Sequence, residues 1–120
     1  MLANAGWKLL ALTNGAEAST RGLLRRAGVE DRFAAVLSCD AIGRFKPHRD
    51  VYEAAKREAE GDLWMVAAHA WDVAGAAMTG LRTVYVTAVE GAYLDVYPEP
   101  DVTVDRLADV PARLAEHRDR

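Results

Sequence analysis

Five short apolar runs divide the chain, and they constrain its fold more than any other feature of the sequence. Apolar runs with little polar alternation, separated by helix-like stretches, are typical of parallel strands that are covered on both faces. The sequence therefore predicts an α/β fold of the doubly wound type, with a mostly parallel sheet. The predicted strands are Trp7–Leu12, Ala34–Cys39, Leu63–Ala68, Thr83–Thr87 and Val102–Val104.

Four amphipathic stretches are predicted to be helices because their apolar residues recur on one face. The first ends at Gly28, a residue type that often terminates helices, and carries Leu23, Leu24 and Ala27 on its apolar face. The last has Asp109 upstream as a plausible cap. The predicted helices are Ala16–Ala27, Asp50–Glu60, Asp72–Thr79 and Pro111–His117.

Composition excludes several classes of protein. A length of 120 residues with 51% hydrophobic residues fits one domain with a buried core. A net charge of −3 without a basic block is a poor basis for nucleic-acid binding. The single cysteine, Cys39, excludes a disulfide framework and a Cys-rich zinc site. We expect a cytoplasmic protein without a membrane span, since no apolar run is long enough and no secretory signal is visible.

Polar residues follow the first and third runs, where a parallel sheet binds its ligands. Thr13 and Asn14, followed by Gly15, can present donors to an anion, or can form a simple strand-to-helix turn. His69 can be a general base, a polar contact or a structural histidine. Asp72 can cap a helix, orient a lysine or hold a metal ion.

Lys46 precedes Pro47 in the loop before the second predicted helix. A lysine at this end of the sheet can neutralise a carboxylate nucleophile or a substrate anion, or it can be an ordinary surface lysine. The Lys-Pro motif alone does not identify a function, and neither does any single strand end. The order of these features along the chain is more specific than each of them.

The order strand–Thr, Lys-Pro before a helix, and strand followed by Asp resembles motifs two to four of the haloacid dehalogenase superfamily. The phrases Leu12–Gly15, Phe45–Tyr52 and His69–Asp72 are similar to the type II 2-haloacid dehalogenase branch. The resemblance extends from about Ala5 to Leu114. It implies a Rossmann-like three-layer sandwich and hydrolysis through an aspartyl ester.

The resemblance also implies roles for six residues. Thr13 and Asn14 match positions that bind the substrate anion and the leaving halide. Lys46 matches the lysine that pairs with the nucleophilic aspartate and the substrate carboxylate. Tyr52 matches an active-site tyrosine. Asp72 matches the acid of the fourth motif, and His69 replaces an Asn near the hydrolytic water.

Two alanines depart from the family patterns. Phosphatases of the superfamily usually carry a second magnesium ligand at the position of Ala68, which cannot ligate a metal. The dehalogenases often carry Ser at the position of Ala67. We therefore expect no cofactor in a dehalogenase, and Mg²⁺ at Asp72 only in the phosphatase alternative.

The first motif of the superfamily, with its nucleophilic Asp, and the cap domain have no counterpart in this chain. Residues 1–120 thus correspond to a single, partial core domain, truncated at the N-terminus. Asp40 also follows a predicted strand, but it matches a loop residue of the family and is a poor substitute. In the family the first strand lies between the strand of Thr13 and Leu63–Ala68, so we expect two open edges that invite pairing.

Three functions remain to be weighed. The first is a hydrolase core that binds a small anionic 2-haloacid. The second is a catalytically inactive remnant or binding module, which predicts no turnover and a homodimer through the open edges. The third is a receiver-type domain, but its residues occur in the order Asp, Thr, Lys, whereas here the order is Thr, Lys, Asp. Phosphate-binding glycine loops for nucleotides are missing from the sequence.

Overall fold

In the computed structural model of the chain, placements are described for Leu2 and for residues 6–118. The chain divides into two compact units, Met1–Glu60 and Gly61–Arg120. Within the described residues, no helix is long and apolar enough to cross a membrane.

The first unit contains a parallel pair of strands and three helices. Strand β1 pairs with β2 so that Thr13 lies opposite Ser38, and both strands end at the same edge. Helix α1 packs on β2, and α3 packs on β1 and α2. The elements are β1 (Leu9–Thr13), α1 (Glu17–Arg26), a 3₁₀ turn (Glu30–Arg32), β2 (Phe33–Ser38), α2 (Cys39–Ile42) and α3 (Arg49–Ala59).

The second unit contains three parallel strands in the order β3-β4-β5. Helix α4 connects β3 to β4 and packs on both strands. Thr83 and Asp101 exchange hydrogen bonds at the start of β4 and β5, with Thr83 N–H donating to Asp101 Oδ2 at 2.8 Å. The elements are β3 (Trp64–Ala67), α4 (Ala70–Met78), β4 (Arg82–Val86), β5 (Val102–Val104), a 3₁₀ turn (Leu107–Asp109) and α5 (Val110–Arg118).

Glycines end two of the helices. Gly28 follows the cap of α1 with φ +75°, and Gly80 follows the cap of α4 with φ +89°. This left-handed backbone is easily adopted only by glycine, which has no Cβ atom to clash. Both helix ends are therefore encoded locally, and the end at Gly28 is one that the sequence predicts.

Burial separates the strands into two groups. Residues Thr83 to Val86 of β4 are all buried, as are Val102 and Val104 of β5. Every residue of β1 and of β3 is only half-buried. In the described part of the chain, β1 pairs only with β2, and β3 pairs only with β4. Each of these two strands thus keeps one edge whose backbone groups have no strand partner.

The predicted strands and helices are all present, with boundaries shifted by at most two residues. Two interpretations of side chains are wrong. Cys39 does not end a strand but begins α2, because Ser38 caps this short helix by accepting from Asp40 N–H at 3.2 Å. Leu23 does not lie on a buried face: its side chain is 60% exposed, and α1 has no fully buried residue.

Candidate active site

The end of β1 carries the first group of polar side chains, which we call the Asn14 cluster: Thr13, Asn14, Cys39 and Lys46. The Lys46 N–H donates to Asn14 Oδ1 at 2.8 Å, and the Cys39 thiol donates to the same oxygen at 3.2 Å. This side chain therefore ties the Lys-Pro loop to the end of β1. The structure brings Asn14 and Lys46 together, although 32 positions separate them in the sequence.

Two donors on one oxygen determine how the Asn14 amide is oriented. An Asn side chain has one acceptor oxygen and an NH₂ group with two donor hydrogens. Because the oxygen accepts from Lys46 and Cys39, the NH₂ group lies on the opposite branch of an exposed side chain. Asn14 can thus offer donors, and not an acceptor, to a ligand at this strand end.

Thr13 forms the turn after β1. Its Oγ1 accepts from Gly15 N–H at 2.9 Å, and Ser38 Oγ donates to Gly15 O at 3.0 Å. Gly15 is tightly placed, since a Cβ atom there would lie 3.3 Å from Thr13 Oγ1. Because Oγ1 is used as an acceptor, the Thr13 hydroxyl keeps its hydrogen for an anion.

Lys46 is half-buried and is joined to Pro47 by a cis peptide bond. Tyr52 lies in the first turn of α3 and is fully buried, next to the equally buried Val51. His48 caps α3 by accepting from Asp50 N–H at 3.1 Å, so this histidine has a local structural role. Asp40 lies exposed in the first turn of α2, two residues beyond the end of β2.

The end of β3 carries the second group, which we call the Glu90 cluster: His69, Ala70, Tyr85 and Glu90. His69 is the residue that caps α4, but its side chain makes no capping hydrogen bond. Glu90 provides that bond from the segment after β4, because its Oε1 accepts from Ala70 N–H at 2.8 Å. A carboxylate is favourable there, since the N-terminus of a helix carries partial positive charge.

The same carboxylate holds His69. The distance between His69 Nδ1 and Glu90 Oε2 is 3.0 Å, and half of the His69 side chain is exposed. The imidazole stacks on the Trp71 ring, with centroids 5.6 Å apart and planes inclined by 10°. One contact thus directs the ring nitrogen and the other directs the ring plane.

Hydrogen bonds alter the acidity within this cluster. The Ala70 N–H, followed by the His69 side chain, lowers the pKa of Glu90 from its ordinary value of 4.5. Burial raises the pKa of Tyr85, and the neighbouring Glu90 charge adds to the effect. The Tyr85 hydroxyl donates to Ala92 O at 2.7 Å and lies 3.4 Å from Glu90 Oε1. At neutral pH the cluster therefore contains a carboxylate and a protonated phenol.

Asp72 is buried as the third residue of α4, so the structure contradicts the interpretation of this residue as the helix cap. Ala67 and Ala68, at and just after the end of β3, offer no oxygen ligand from their side chains. Among residues 6–118, no three His, Cys, Asp or Glu side chains are grouped so that they could hold a metal ion. Mg²⁺ prefers several oxygen ligands, and near the end of β3 this chain offers the Asp72 carboxylate but no side-chain oxygen at Ala68.

A cavity of about 580 Å³ opens beside the long segment between β4 and β5, and it contains none of the predicted site residues. Its walls include Tyr85, Tyr93 and Tyr97, which contact one another edge to face or tilted. Burial raises the pKa of Tyr93, and the neighbouring tyrosines add to this effect. Tyr85 of the Glu90 cluster lines this cavity, and so do the acidic residues Asp95 and Glu99.

Sequence reasoning missed Glu90. It lies four positions beyond the end of β4, in the segment between β4 and β5 where the sequence predicts neither a strand nor a helix. The rule that directed attention to the carboxyl ends of the first three strands applies equally to β4. The presence of a Glu shortly after β4 could therefore have identified Glu90 as a candidate site residue.

Comparisons with known proteins identify the same family that the sequence motifs resemble. A family model of haloacid dehalogenase-like hydrolases matches residues 1–80. The chain is 31% identical over 112 residues to the (S)-2-haloacid dehalogenase of Pseudomonas sp. (strain YL), a match that covers 91% of this chain and 48% of the relative. It is 30% identical over 107 residues to haloacetate dehalogenase H-2 of Moraxella sp. (strain B), with 86% and 47% covered. The chain spans about half the length of these relatives.

Solved structures show the same likeness in three dimensions. The L-2-haloacid dehalogenase of Xanthobacter autotrophicus, with chloropropionic acid covalently bound, matches with a TM-score of 0.84 and 27% identity, over 97% of this chain and 58% of that one. The HAD phosphatase from Thermococcus onnurineus matches with a TM-score of 0.78 and 25% identity, over 94% and 53%. The predicted Rossmann-like α/β fold is thereby confirmed.

Proposed function

The chain belongs to the haloacid dehalogenase-like hydrolases, and from this membership we propose that it is the part of a 2-haloacid dehalogenase core that binds the substrate and hydrolyses the ester intermediate. The nucleophilic Asp then comes from a segment that these 120 residues do not contain. The Asn14 cluster is the single observation that carries the proposal most directly, because it places hydrogen-bond donors at a strand end.

The Asn14 cluster suits a small anion. The amide oxygen is occupied by Lys46 N–H at 2.8 Å, which leaves the NH₂ group as a donor pair. The Thr13 hydroxyl adds a further donor in the turn that follows β1. Donors and a nearby lysine stabilise a substrate carboxylate or a departing halide, because both carry negative charge.

The reaction has two steps in this proposal. A carboxylate oxygen of the nucleophilic Asp attacks C2 of the haloacid, the carbon–halogen bond breaks, and the halide leaves with the bonding electrons. Water then attacks the carbonyl carbon of the resulting ester and releases a 2-hydroxy acid. We propose that Lys46 neutralises the carboxylates and that Asn14 receives the halide, while Tyr52, His69 and Asp72 keep the roles implied by the family.

The free edges of β1 and β3 support a missing strand. Each strand pairs on one side only within the described residues, and none of its side chains is fully buried. An unpaired strand edge presents backbone groups on which another strand can pair. We propose that the segment carrying the nucleophilic Asp provides a strand for these edges, and that this chain forms one partial core domain without its cap.

Two alternative functions, a phosphatase and an inactive remnant, require different features of the chain. A phosphatase needs magnesium; Asp72 is a candidate ligand, but Ala68 has no side-chain oxygen at the position where the phosphatases usually carry a second ligand. An inactive remnant needs no nucleophile but must cover its strand edges, and a homodimer would do so. Light scattering on the purified chain distinguishes the cases, because a stable dimer favours the remnant and a monomer favours a core that awaits another segment.

The decisive experiment supplies the missing segment. The chain is fused to the part of the Pseudomonas sp. (strain YL) dehalogenase that it does not match, and halide release from 2-chloropropionate is measured. We expect turnover, reduced about 10²–10³-fold by Lys46→Ala. Lys56→Ala, at an exposed position of α3, is the matched control and should leave the rate unchanged.

Two results would contradict this function. Equal rates of halide release by the fusion and by its Lys46→Ala variant would show that Lys46 does not take part in the reaction. A folded fusion, shown by circular dichroism and a cooperative thermal transition, that releases no halide would favour the inactive remnant.

A further inference from the structure

Glu90 and His69 form a carboxylate–imidazole pair whose members come from different strand ends. Glu90 Oε2 lies 3.0 Å from His69 Nδ1, while Oε1 accepts from Ala70 N–H at 2.8 Å. Both carboxylate oxygens are therefore fixed by the N-cap residue and the first residue of α4, so the carboxylate is anchored where it contacts the ring. Such anchoring is what a residue that positions an imidazole requires.

The partner of Nδ1 determines the tautomer of a neutral imidazole. An ionised carboxylate can only accept hydrogen bonds, so the hydrogen of the pair must lie on His69 Nδ1. The other ring nitrogen, Nε2, then carries a lone pair. Half of the His69 side chain is exposed, and stacking on Trp71 limits rotation of the ring.

We propose that Glu90 is a positioning residue that holds His69 as the Nδ1–H tautomer, so that Nε2 acts as the general base for the water that hydrolyses the ester. This inference rests on the proposed function for the reaction, but the tautomer itself does not depend on it. The groups that face the imidazole are the Glu90 carboxylate and the Trp71 ring, with the Tyr85 hydroxyl beyond the carboxylate.

The proton balance of the step is simple. Water adds to the carbonyl carbon of the aspartyl ester while one of its protons moves to His69 Nε2. The tetrahedral intermediate collapses, the bond between the carbonyl carbon and the substrate oxygen breaks, and the proton on Nε2 passes to that oxygen. The products are a 2-hydroxy acid and the carboxylic acid form of the Asp, which releases the second water proton to solvent to regenerate the carboxylate.

Glu90→Gln tests the positioning role with little change in shape. The Gln oxygen can still accept from Ala70 N–H, but the NH₂ group then faces His69 Nδ1 and donates to it. We expect the neutral ring to change from the Nδ1–H to the Nε2–H tautomer, as seen by ¹⁵N NMR of the imidazole in the 120-residue chain. Glu99→Gln, an exposed glutamate in the same unit, is the control and should leave the tautomer unchanged.

Kinetics test the role of the base. In the fusion that carries a nucleophile, His69→Gln should leave the initial burst of halide intact but slow the later turnover about 10²-fold or more, because the ester accumulates. Glu90→Gln should slow turnover in the same direction, and Glu90→Asp should restore part of it with the original tautomer.

The outcomes separate this inference from the function on which it rests. An Nε2–H ring in the unsubstituted chain, or no change of tautomer in Glu90→Gln, overturns the positioning role whatever the fusion does. A halide burst followed by unchanged turnover in His69→Gln overturns the general base while the dehalogenase assignment stands. Absence of any halide release by the folded fusion counts against the dehalogenase function and against the general base together, and the NMR result still decides the positioning role.

Discussion

The Asn14 cluster and the Glu90 cluster perform the same architectural task with different chemistry. In each, a side-chain oxygen near a strand end accepts from the backbone N–H of a distant loop or helix at 2.8 Å. Asn14 does this with a neutral amide, and two donor hydrogens remain for an anion. Glu90 does it with a carboxylate, and its second oxygen holds an imidazole. One polar atom of each side chain makes the structural hydrogen bond. The other polar atom, the NH₂ nitrogen of Asn14 or the second oxygen of Glu90, determines which ligand or side chain that strand end can bind.

Exchanging the amide of Asn14 for a carboxylate should have the largest effect. Asn14→Asp retains an oxygen for Lys46 and Cys39 but replaces the donor pair with negative charge. We expect kcat/KM for 2-chloropropionate in the fusion to fall about 10²-fold, as for loss of an anion-stabilising donor.

The reverse exchange at an exposed position, Asp40→Asn, is the matched control and should have no effect on this parameter. Undiminished kcat/KM in Asn14→Asp would show that the amide donors contact neither the halide nor the substrate carboxylate.

Removing the acceptor of the Asn14 cluster should destabilise the chain at any pH at which it is folded. Asn14→Ala leaves Lys46 N–H and the Cys39 thiol without this oxygen, and we expect a loss of about 1 kcal/mol in the free energy of unfolding. The loss should be the same at pH 4.5 and pH 7, because an amide does not titrate. Urea unfolding measures it, and a loss that varies with pH would contradict the comparison.

The Glu90 cluster should instead lose stability in acid. The pKa of Glu90 is lowered in the folded chain by the Ala70 N–H and then by His69, so its stabilising contribution is complete above its ordinary value of 4.5. The contribution decreases as the pH falls through the lowered pKa, where the folded state must take up a proton.

We expect the difference in Tm between the unsubstituted chain and Glu90→Gln to shrink on going from pH 7 to pH 3. Glu99→Gln is the control for a general effect of removing one acidic group. If the difference in Tm between the unsubstituted chain and Glu90→Gln stays constant with pH, the Glu90 carboxylate does not stabilise this cluster through its charge.

The smallest effect is expected at the turn after β1. Thr13→Val removes the oxygen that accepts from Gly15 N–H at 2.9 Å, in an exposed turn, and should lower the free energy of unfolding by about 0.5 kcal/mol. Thr13→Ser keeps the oxygen and should retain the stability. If Thr13→Ser loses stability and Thr13→Val does not, packing of the Thr13 methyl group, and not the hydrogen bond, matters at this turn.

The fold was predictable because its signals are local. The apolar runs, the amphipathic stretches and the glycines at positions 28 and 80 each lie within or beside the element that they specify. The exposure of Leu23 was not predictable in this way, because a helical face is buried only where another element covers it.

The candidate site was predictable only in part. Thr13, Asn14, His69 and Asp72 lie at or just after the ends of predicted strands, so the rule for parallel sheets draws attention to them. The bond from Lys46 N–H to Asn14 was not predictable from spacing, because it depends on how the Lys-Pro loop returns to β1. Their proposed roles in catalysis remain predictions.

Sequence alone determined the alternation of strands and helices and the polar character of the strand ends, because periodicity and glycine act over a few residues. Tertiary structure alone decided which polar groups meet. Glu90 reaches His69 across 21 positions and Asn14 reaches Lys46 across 32, and each contact requires the ends of elements to converge within hydrogen-bond distance. A hydrogen bond depends on separation in space within a few tenths of an ångström, and no pattern along the chain encodes that separation.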